Sequence, residues 1–285
     1  WGVPFWMSLP LSGLCAAGVG LAIGFFALRL KGLYLAIVTI GLLVLVEHTL
    51  LAFPGWTQGH SGIRVPMHLW FPAGDGASTA IAFKDKVMLG PLLFTFERKL
   101  FFLFLGITVV TMYVAKNIHR SATGRAMMAV RDHDLAASTL GVNPTRAKIQ
   151  AFAVSSFLAG IAGAMFAYKQ TFISVNPPFN LNMSVGFIAM IVLGGMGTVF
   201  GAVAGGLVFT FLSPLAEIFH EWCTTGPATA NLCRRTELLQ SLSSEQFSTI
   251  VFALVVIVFM VFEPMGLFGL WMRVKRYFMA WPFKY

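Results

Sequence analysis

Long uncharged runs alternate with short charged segments along this chain. Residues 1–28, 149–168 and 170–216 contain no Asp, Glu, Lys or Arg. A helix that crosses the hydrocarbon core of a bilayer needs about 20 mostly apolar residues, and each of these runs reaches that length. The pattern defines six hydrophobic blocks: residues 4–28, 32–53, 99–116, 149–168, 183–219 and 247–264.

These blocks predict an all-α polytopic membrane protein. Apolar residues do not alternate in the short segments typical of transmembrane β-strands, and a helix satisfies its own backbone hydrogen bonds in hydrocarbon. The composition agrees, since only 11% of the 285 residues are charged, against roughly 25% in soluble domains. The net charge of +9 fits Lys- and Arg-rich cytoplasmic loops. We expect no nucleic-acid partner, because the chain offers no soluble basic face.

The distribution of Lys and Arg predicts the orientation. When residues 117–148 and the C-terminus lie in the cytoplasm, alternation of the spans places Arg29 and Lys31 there as well. With Lys116 at the boundary, 12 of the 20 basic residues are then cytoplasmic, as the positive-inside rule requires. Residues 220–246 then form an extracytoplasmic loop, and block 183–219 must either cross twice or enter and return. No repeat or linker divides residues 1–285, so we expect a single transmembrane domain.

A glycine-rich stretch, VLGGMGTVFGAVAGG (Val192–Gly206), interrupts the fifth block. Glycine is unfavourable inside a helix and permits a sharp turn. Broken helices occur in membranes where neighbouring protein or a water-filled cavity satisfies the freed backbone. Gly194, Gly195 and Gly197 therefore predict a discontinuous helical hairpin beside a translocation path. The alternative is close helix packing through small residues, and both can hold together.

The most polar passage, GRAMMAVRDHDLAASTLGVNPTRAKIQAF, covers residues 124–152. It begins with good helix formers interspersed with Arg125 and Arg131. Gly141 suits a helix end, and Asn143–Pro144 suits the start of the next helix. The pattern predicts one short amphipathic helix, Ala126–Gly141, on the cytoplasmic surface. A partner protein could bind this helix there and move it. The alternative is a simple solvated loop.

Five motifs, in order, resemble those of branched-chain amino-acid permeases of ATP-binding-cassette (ABC) importers, specifically the LivM-type branch. They are ALRLKGLYLAIVTIG (Ala27–Gly41), TQGHSGI (Thr57–Ile63), the passage from Arg120 to Ala167, IVLGGMGTVFGAVAGG (Ile191–Gly206) and FEPMGLFG (Phe262–Gly269). The family's coupling loop has an Ala-Ala-x-x-x-Gly core, which AASTLG (136–141) matches, with Leu135 in place of the leading Glu. Gln58 stands where the family has Gly, and Val44 and Glu47 stand where Glu and Arg are customary. The family's N-terminal spans would precede Trp1.

The resemblance implies an importer permease in the bacterial inner membrane, carrying branched-chain amino acids or a related small solute. The implied partners are a second, LivH-type permease subunit, two ATP-binding subunits that carry ATP and Mg, an extracytoplasmic solute-binding protein and the lipid bilayer. The residues expected to couple to the ATP-binding subunit are Arg125, Met128, Arg131, Asp132, Asp134, Ala136, Ala137 and Gly141. Those expected along the translocation path are Thr39, Glu47, Thr57, Gly59, Gly62, Gly194, Gly195, Gly197 and Thr198.

Other chemistry is not predicted from this chain. It has no Gly-Lys-Ser/Thr phosphate loop, so we expect ATP hydrolysis on partner subunits and neither enzymatic activity nor a cofactor here. The histidines lack metal-ligand spacing, so no metal site is expected. Cys223 and Cys233 lie in the predicted extracytoplasmic loop, where an oxidising compartment would permit a disulfide. Two free thiols are the alternative.

Three other functions were weighed against the importer. An ion-coupled secondary transporter would also have broken helices, but it should carry acidic groups in mid-span, and only Glu47 qualifies. The same type of importer could carry urea, short amides or aromatic acids instead of branched-chain amino acids. A membrane enzyme would need a cluster of catalytic residues, and the sequence contains none.

Overall fold

The computed structural model of the chain describes residues 3–27, 33–65, 87–89, 92–174, 181–225, 244–262 and 266–280. Its helices are α1 (Phe5–Ala27), α2 (Leu33–Ala52), α3 (Pro54–Thr57), α4 (Phe96–Arg120), α5 (Ala122–Asp132), α6 (Asp134–Thr139), α7 (Pro144–Gln170), α8 (Leu181–Gly194), α9 (Val199–Thr225), α10 (Ser244–Phe262) and α11 (Gly266–Ala280). A 3₁₀ turn covers Gly59–Ser61, and the strands are β1 (Ile63–Arg64), β2 (Val87–Leu89), β3 (Leu92–Phe94) and β4 (Phe172–Ile173).

Helices occupy the uncharged runs, which confirms the all-α prediction. Four segments are long and apolar enough to cross a membrane: Phe5–Phe25, Phe96–Arg120, Pro144–Gln170 and Val199–Ile218. Many of their large apolar side chains are exposed, including Val109 and Val110 of α4. Such exposure is expected where lipid tails, which are as apolar as leucine, surround the helix.

The observed helices differ from the sequence-based expectations at three places. Because α4 continues to Arg120, the segment between it and α7 is 121–143, shorter than the expected 117–148. Because α9 continues to Thr225, the first residues of the expected loop 220–246 are helical. The basic tail contains a helix of its own, α11, which the sequence analysis did not assign. The sidedness of these segments stays a prediction.

The chain divides into two compact units, Trp1–Phe179 and Asn180–Tyr285, and each is described by itself. A single transmembrane domain over 1–285 therefore remains a sequence-based prediction. In the first unit the dominant contact is between α1 and α7, which pack side by side along much of their length.

Glycines bring α1 and α7 close together. On α1, Gly13, Gly20 and Gly24 all face side chains of α7. On α7, a Cβ placed on Gly160 would lie 2.6 Å from the carbonyl oxygen of Ser12 and 2.9 Å from the Cα of Gly13. Small residues at such contacts let two backbones approach, which gains van der Waals packing where lipid supplies no hydrophobic drive between helices. We call this contact the α1–α7 seam.

Two hydroxyl groups add hydrogen bonds across the seam. Ser12 Oγ lies 3.1 Å from the carbonyl oxygen of Gly160 and 2.8 Å from that of Leu9, and donates to them. Ser8 Oγ and the Tyr168 hydroxyl are 2.8 Å apart and share a hydrogen bond. Because each bond joins a particular pair of residues, the two together fix the register of α1 against α7.

An apolar cluster joins a third helix to one end of the seam. Phe5 and Tyr168 are buried, and their rings meet edge to face with centroids 4.9 Å apart. Leu103, Phe104 and Ile107 of α4 pack against this pair. The cluster thus connects α1, α4 and α7 at the end of α7.

In the second unit, α8 and α9 form a hairpin joined by Gly195–Thr198, as the glycine-rich stretch predicts. α10 packs beside both helices, and Phe252 of α10 meets Phe209 of α9 edge to face at 4.8 Å between ring centroids. The first turn of α11 packs against the end of α8. The fifth hydrophobic block is therefore two helices joined by a tight turn.

We expect Gly160→Ala to lower the free energy of unfolding by about 1–3 kcal/mol, the usual cost of overpacking, because its new methyl group would press on the backbone of α1. Gly163→Ala is the matched control in the same helix, since a Cβ there would meet nothing within 4 Å. Thermal unfolding of the two purified variants in detergent measures the difference. Equal melting temperatures would contradict the close contact.

Candidate functional site

Residues 121–143, between α4 and α7, contain the expected coupling residues, and we call them the coupling segment. It contains two helices instead of the single predicted helix 126–141, because His133 is extended (φ −151°, ψ 102°) and separates α5 from α6. Ser121 begins α5, and its Oγ accepts a hydrogen bond from the Gly124 amide at 3.2 Å. The segment is therefore a bent pair of short helices.

The end of α6 is a glycine-terminated turn. Gly141 has φ 83°, a left-handed conformation that glycine adopts without a steric penalty. The Val142 amide donates to the carbonyl of Ala137 at 3.0 Å, and the Gly141 amide donates to that of Ser138 at 3.1 Å. This pair of bonds, with an apolar contact between Ala137 and Val142, is the Schellman motif. Asn143–Pro144 then begin α7 with the asparagine side chain as cap, as predicted.

Two interactions fasten α6 to the start of α7. Lys148 Nζ and Asp134 Oδ2 form a salt bridge of 2.9 Å, with both side chains about one-third exposed. Beside it, Val130, Ala137 and Ala147 form a small buried cluster. The coupling segment therefore has a defined shape that is fixed to α7.

Three of the expected coupling residues are engaged within the protein. Arg125 Nη1 donates to the carbonyl of Arg120, at the end of α4, at 2.8 Å. Asp134 is held by Lys148, and Ala137 is only 2% exposed. In this structure these three side chains maintain the shape of the segment.

The remaining expected coupling residues lie at or near the surface. Arg131 and Asp132 pair with each other at 3.0 Å and are both mostly exposed, so the pair adds little to stability. Ala136 and Gly141 are exposed, and Met128 is half-buried. These residues are accessible to a partner protein.

Two leucines outside the expected coupling residues are strongly exposed, one on α6 and one in the turn that ends it. Leu135 is 84% exposed and Leu140 is 82% exposed. Leu135 lies two positions before the buried Ala137, about 200° around the helix, and so on the opposite face. The signal in the sequence was two leucines in a polar passage, on either side of the Ala-Ala pair. Both side chains are therefore accessible to an apolar surface of another protein.

The turn between α8 and α9 depends on glycine and one threonine. Gly195 has φ 111° and Gly197 has φ 84°, values that side chains strongly disfavour. Thr198 Oγ1 accepts from the Gly201 amide at 3.0 Å, which caps the start of α9. The same hydroxyl donates to the Gly195 carbonyl at 3.3 Å. The turn thus satisfies backbone groups that a helix break would leave unpaired.

The same region is also a close helix contact. A Cβ on Gly194 would overlap the carbonyl oxygen of Gly201, and one on Gly205 would overlap the α8 backbone. Gly266, at the start of α11, has φ 64°, and its Cβ would lie 2.6 Å from the carbonyl of Leu193. The two interpretations of the glycine-rich stretch, a helix break and small-residue packing, therefore both hold.

The TQGHSGI loop begins where α2 and α3 end. Thr57 Oγ1 lies 3.0 Å from the carbonyl of Phe53 and accepts from the Gly59 amide at 3.2 Å, so this hydroxyl stabilises the turn. Gln58 is left-handed, with φ 53°. At this position the family has glycine, which adopts that conformation freely; glutamine does so at a cost of roughly 1–2 kcal/mol.

Gly62 connects this loop to the end of α7. Its φ is 65°, and a Cβ there would lie 2.7 Å from the carbonyl of Ile173. Next to it, β1 pairs with β4 in antiparallel fashion, with Ile63 opposite Ile173 and Arg64 opposite Phe172. The loop after α2 is thus tied to the chain that follows α7.

The expected path residues fall in both units. Thr39 is exposed and Glu47 half-buried on α2, with Thr57, Gly59 and Gly62 in the loop that follows. Gly194, Gly195, Gly197 and Thr198 form the α8–α9 turn in the second unit. Their place along a translocation path stays a prediction.

The remaining sequence-based expectations concern cysteines and metals. Cys233 and the side chain of Cys223 lie outside the described residues, so the disulfide stays a prediction. Within the described ranges, no three His, Cys, Asp or Glu side chains come together as metal ligands.

Apolar helices of spanning length, glycine-mediated helix contacts and a polar segment of fixed shape define a multi-pass helical membrane protein. The family described as "Branched-chain amino acid transport system / permease component" matches residues 1–260, and the chain belongs to that family. This confirms the resemblance carried by the five motifs.

Individual relatives agree with the family. The chain is 34% identical over 227 residues to the high-affinity branched-chain amino acid transport system permease protein LivM of Salmonella typhimurium, covering 78% of this chain and 53% of the relative. It is 34% identical over 232 residues to LivM of Escherichia coli, with the same coverage. The autoinducer 2 import system permease protein LsrC of an Enterobacter species is 30% identical over 228 residues, covering 75% of this chain and 57% of the relative. The chain therefore spans about half the length of these curated relatives. No solved structure matches it.

We expect Gly141→Val to disorder the end of α6. Valine at φ 83° is strained through its own backbone, since a Cβ there would meet nothing within 4 Å, and we expect a loss of about 1–3 kcal/mol in local stability. Gly141→Asn is the control, because asparagine tolerates left-handed geometry. Amide hydrogen exchange of residues 134–142 should accelerate in the valine variant and change little in the asparagine variant. Equal protection in both would contradict the turn.

We expect Gly194→Ala to impair assembly of the α8–α9 hairpin, because its methyl group would overlap the backbone of α9. Gly206→Ala is the matched control, since a Cβ there would meet nothing within 4 Å, and alanine favours the helix by up to about 1 kcal/mol. The measurement is the yield of monodisperse protein after extraction in mild detergent. A normal yield for Gly194→Ala would show that the two backbones are further apart than described.

Proposed function

We propose that this chain is the membrane-spanning permease subunit of an ABC importer for branched-chain amino acids or a related small solute. Family membership and the similarity to LivM support the proposal. The family also weighs against an ion-coupled secondary transporter. Because one relative is named for autoinducer 2 import, the cargo is the least constrained part of the proposal.

The proposed partners follow the same pattern. A second permease subunit of LivH type would cover part of the exposed apolar surface of the helices; LivH of Escherichia coli is 26% identical to this chain over 166 residues, covering 58% of this chain and 44% of LivH. Two ATP-binding subunits would supply ATP and Mg chemistry, and an extracytoplasmic binding protein would deliver the cargo. The coupling segment and the C-terminus would face the cytoplasm.

The observation that carries the coupling proposal is a pair of exposed leucines, Leu135 on α6 and Leu140 in the turn that ends it. The glycine turn and the Lys148–Asp134 salt bridge hold the supporting backbone of both residues in place. An apolar pair on a fixed support fits a hydrophobic groove on an ATP-binding subunit. Arg131 and Asp132, exposed beside the pair, would add polar contacts at the rim. The buried Ala137 would keep this support rigid.

For the path, we propose that the α8–α9 turn and the loop after α2 border the route of the cargo. Both have backbone groups outside regular helices, and such backbone is tolerated at membrane depth only where protein or water satisfies it. Glu47 is the candidate for a polar contact with the cargo, because ionisable groups within membrane helices often mark substrate pathways.

We expect the double variant Leu135→Ser/Leu140→Ser to abolish copurification of the ATP-binding subunits, or to lower ATP-dependent uptake at least tenfold, while the permease itself remains folded. Removing two exposed apolar contacts should act at the interface, since neither side chain supports the fold. Ser138→Ala/Thr139→Ala is the matched control on the same helix, because both residues are exposed. The measurement is uptake of labelled leucine by proteoliposomes that contain the assembled complex.

Two results would contradict the proposal in different ways. Unchanged uptake in the leucine variant would remove the docking role of α6 and leave the importer assignment intact. Uptake by the wild type that follows an ion gradient and needs no ATP would instead favour the secondary transporter and overturn the importer assignment.

A further inference from the structure

Helix α11 carries two of its three positive charges on one side and a group of apolar side chains on the other. At about 100° per residue, Arg273 and Arg276 lie 60° apart on one side. Trp271, Val274 and Phe278 fall within about 60° of one another on the opposite side. The helix contains no Asp or Glu. Lys275 adds a third positive charge at the edge of the apolar side, about 40° from Trp271. It is therefore a basic amphipathic helix.

This helix is unfavourable both in water, where its apolar side chains would be exposed, and in the hydrocarbon core, where its cations would be buried. Its 15 residues measure about 22 Å, which is short of the roughly 30 Å core, and its cations would be costly there. Yet Phe278 is 70% exposed and Met279 is 77% exposed. A helix with both surfaces uncovered fits the boundary between headgroups and acyl chains, where each surface meets its own solvent.

The beginning of α11 is held by the protein. Gly266 and Gly269 are buried, and Gly266 packs against the backbone of α8. The Trp271 ring lies 5.6 Å from that of Phe200, in the first turn of α9. From Met272 to Met279 every residue is exposed. The exposed part of the helix is the part that carries the cations.

We propose that α11 lies in the membrane interface and binds anionic phospholipid headgroups through Arg273, Lys275 and Arg276. Charge complementarity selects this occupant: the helix has three cations and no acid, and each cation near an anionic bilayer surface contributes about fivefold in affinity. Trp271 and Phe278 anchor its apolar side among the upper acyl chains, as aromatic residues do at membrane interfaces. The inference does not depend on the cargo or on the ATP-binding subunits.

Lipid binding at α11 also acts on the α8–α9 turn. Because Gly266 and Trp271 contact α8 and α9 next to this turn, a helix held at the headgroup level fixes the depth of the turn in the bilayer. The bound lipid thus helps to position the α8–α9 turn, which the packing of α8, α9 and α10 would otherwise position alone.

The test is lipid retention by the full-length protein. The purified protein is placed in nanodiscs of phosphatidylcholine and phosphatidylglycerol in equal amounts, re-extracted in mild detergent and analysed for bound lipid by native mass spectrometry. The preference for phosphatidylglycerol should fall about 25-fold in Lys275→Gln/Arg276→Gln, at about fivefold for each cation. It should return in Lys275→Arg/Arg276→Lys, which restores the charge. High salt should weaken it in the wild type, because salt shortens the range of surface electrostatics.

Arg64→Gln/Lys169→Gln is the matched control: it removes two exposed cations of the first unit and should leave the preference within twofold of wild type. An equal loss in this control would mean that net charge, and not α11, selects the lipid. An unchanged preference in Lys275→Gln/Arg276→Gln, with weaker copurification of the ATP-binding subunits, would assign the helix to a protein partner. Either result overturns the proposal.

Discussion

The close approach of α1 and α7 is the contact on which the first unit depends. Lipid gives two apolar helices no reason to associate, so the contact must come from packing and hydrogen bonds. Gly13 and Gly160 permit it, and Ser8 and Ser12 fix its register. Two further parts of the unit attach to α7: the coupling segment at its start, and the β1–β4 ladder just after its end.

The second unit uses glycine for two purposes at one place. Gly195 and Gly197 allow the chain to reverse, and Gly194 with Gly201 lets the two helices that follow from the reversal pack backbone to backbone. A turn alone would need only the positive φ angles. A packing contact alone would need no break. Because both occur together, the end of α8 at Gly194 packs against the backbone of α9 at Gly201. The start of α11, at Gly266, also packs against the end of α8.

The sequence predicted features that depend on local chemistry. Uncharged runs predicted the helices, Gly141 the end of α6, and Asn143–Pro144 the start of α7. It did not predict the break at His133, because histidine has no specific turn preference. The Asp134–Lys148 bridge and the burial of Ala137 were also missed, since both arise only when α6 folds back on α7. Once Ala137 faces inward, Leu135 must face outward, so the exposed leucines could not be recognised before the fold was known.

The attachment of α6 to α7 makes the long helix a lever. At 27 residues, α7 is about 40 Å long, so a tilt of only about 5° at its start would carry its far end through about 3.5 Å. The salt bridge and the Schellman turn hold α6 rigidly against the start of α7, whereas a flexible loop would let α6 move without moving α7. Because the α1–α7 seam holds α1 against α7, the two helices would tilt together as one rigid body. A movement of α6 by a few ångströms would then move the far end of α7 by a similar distance.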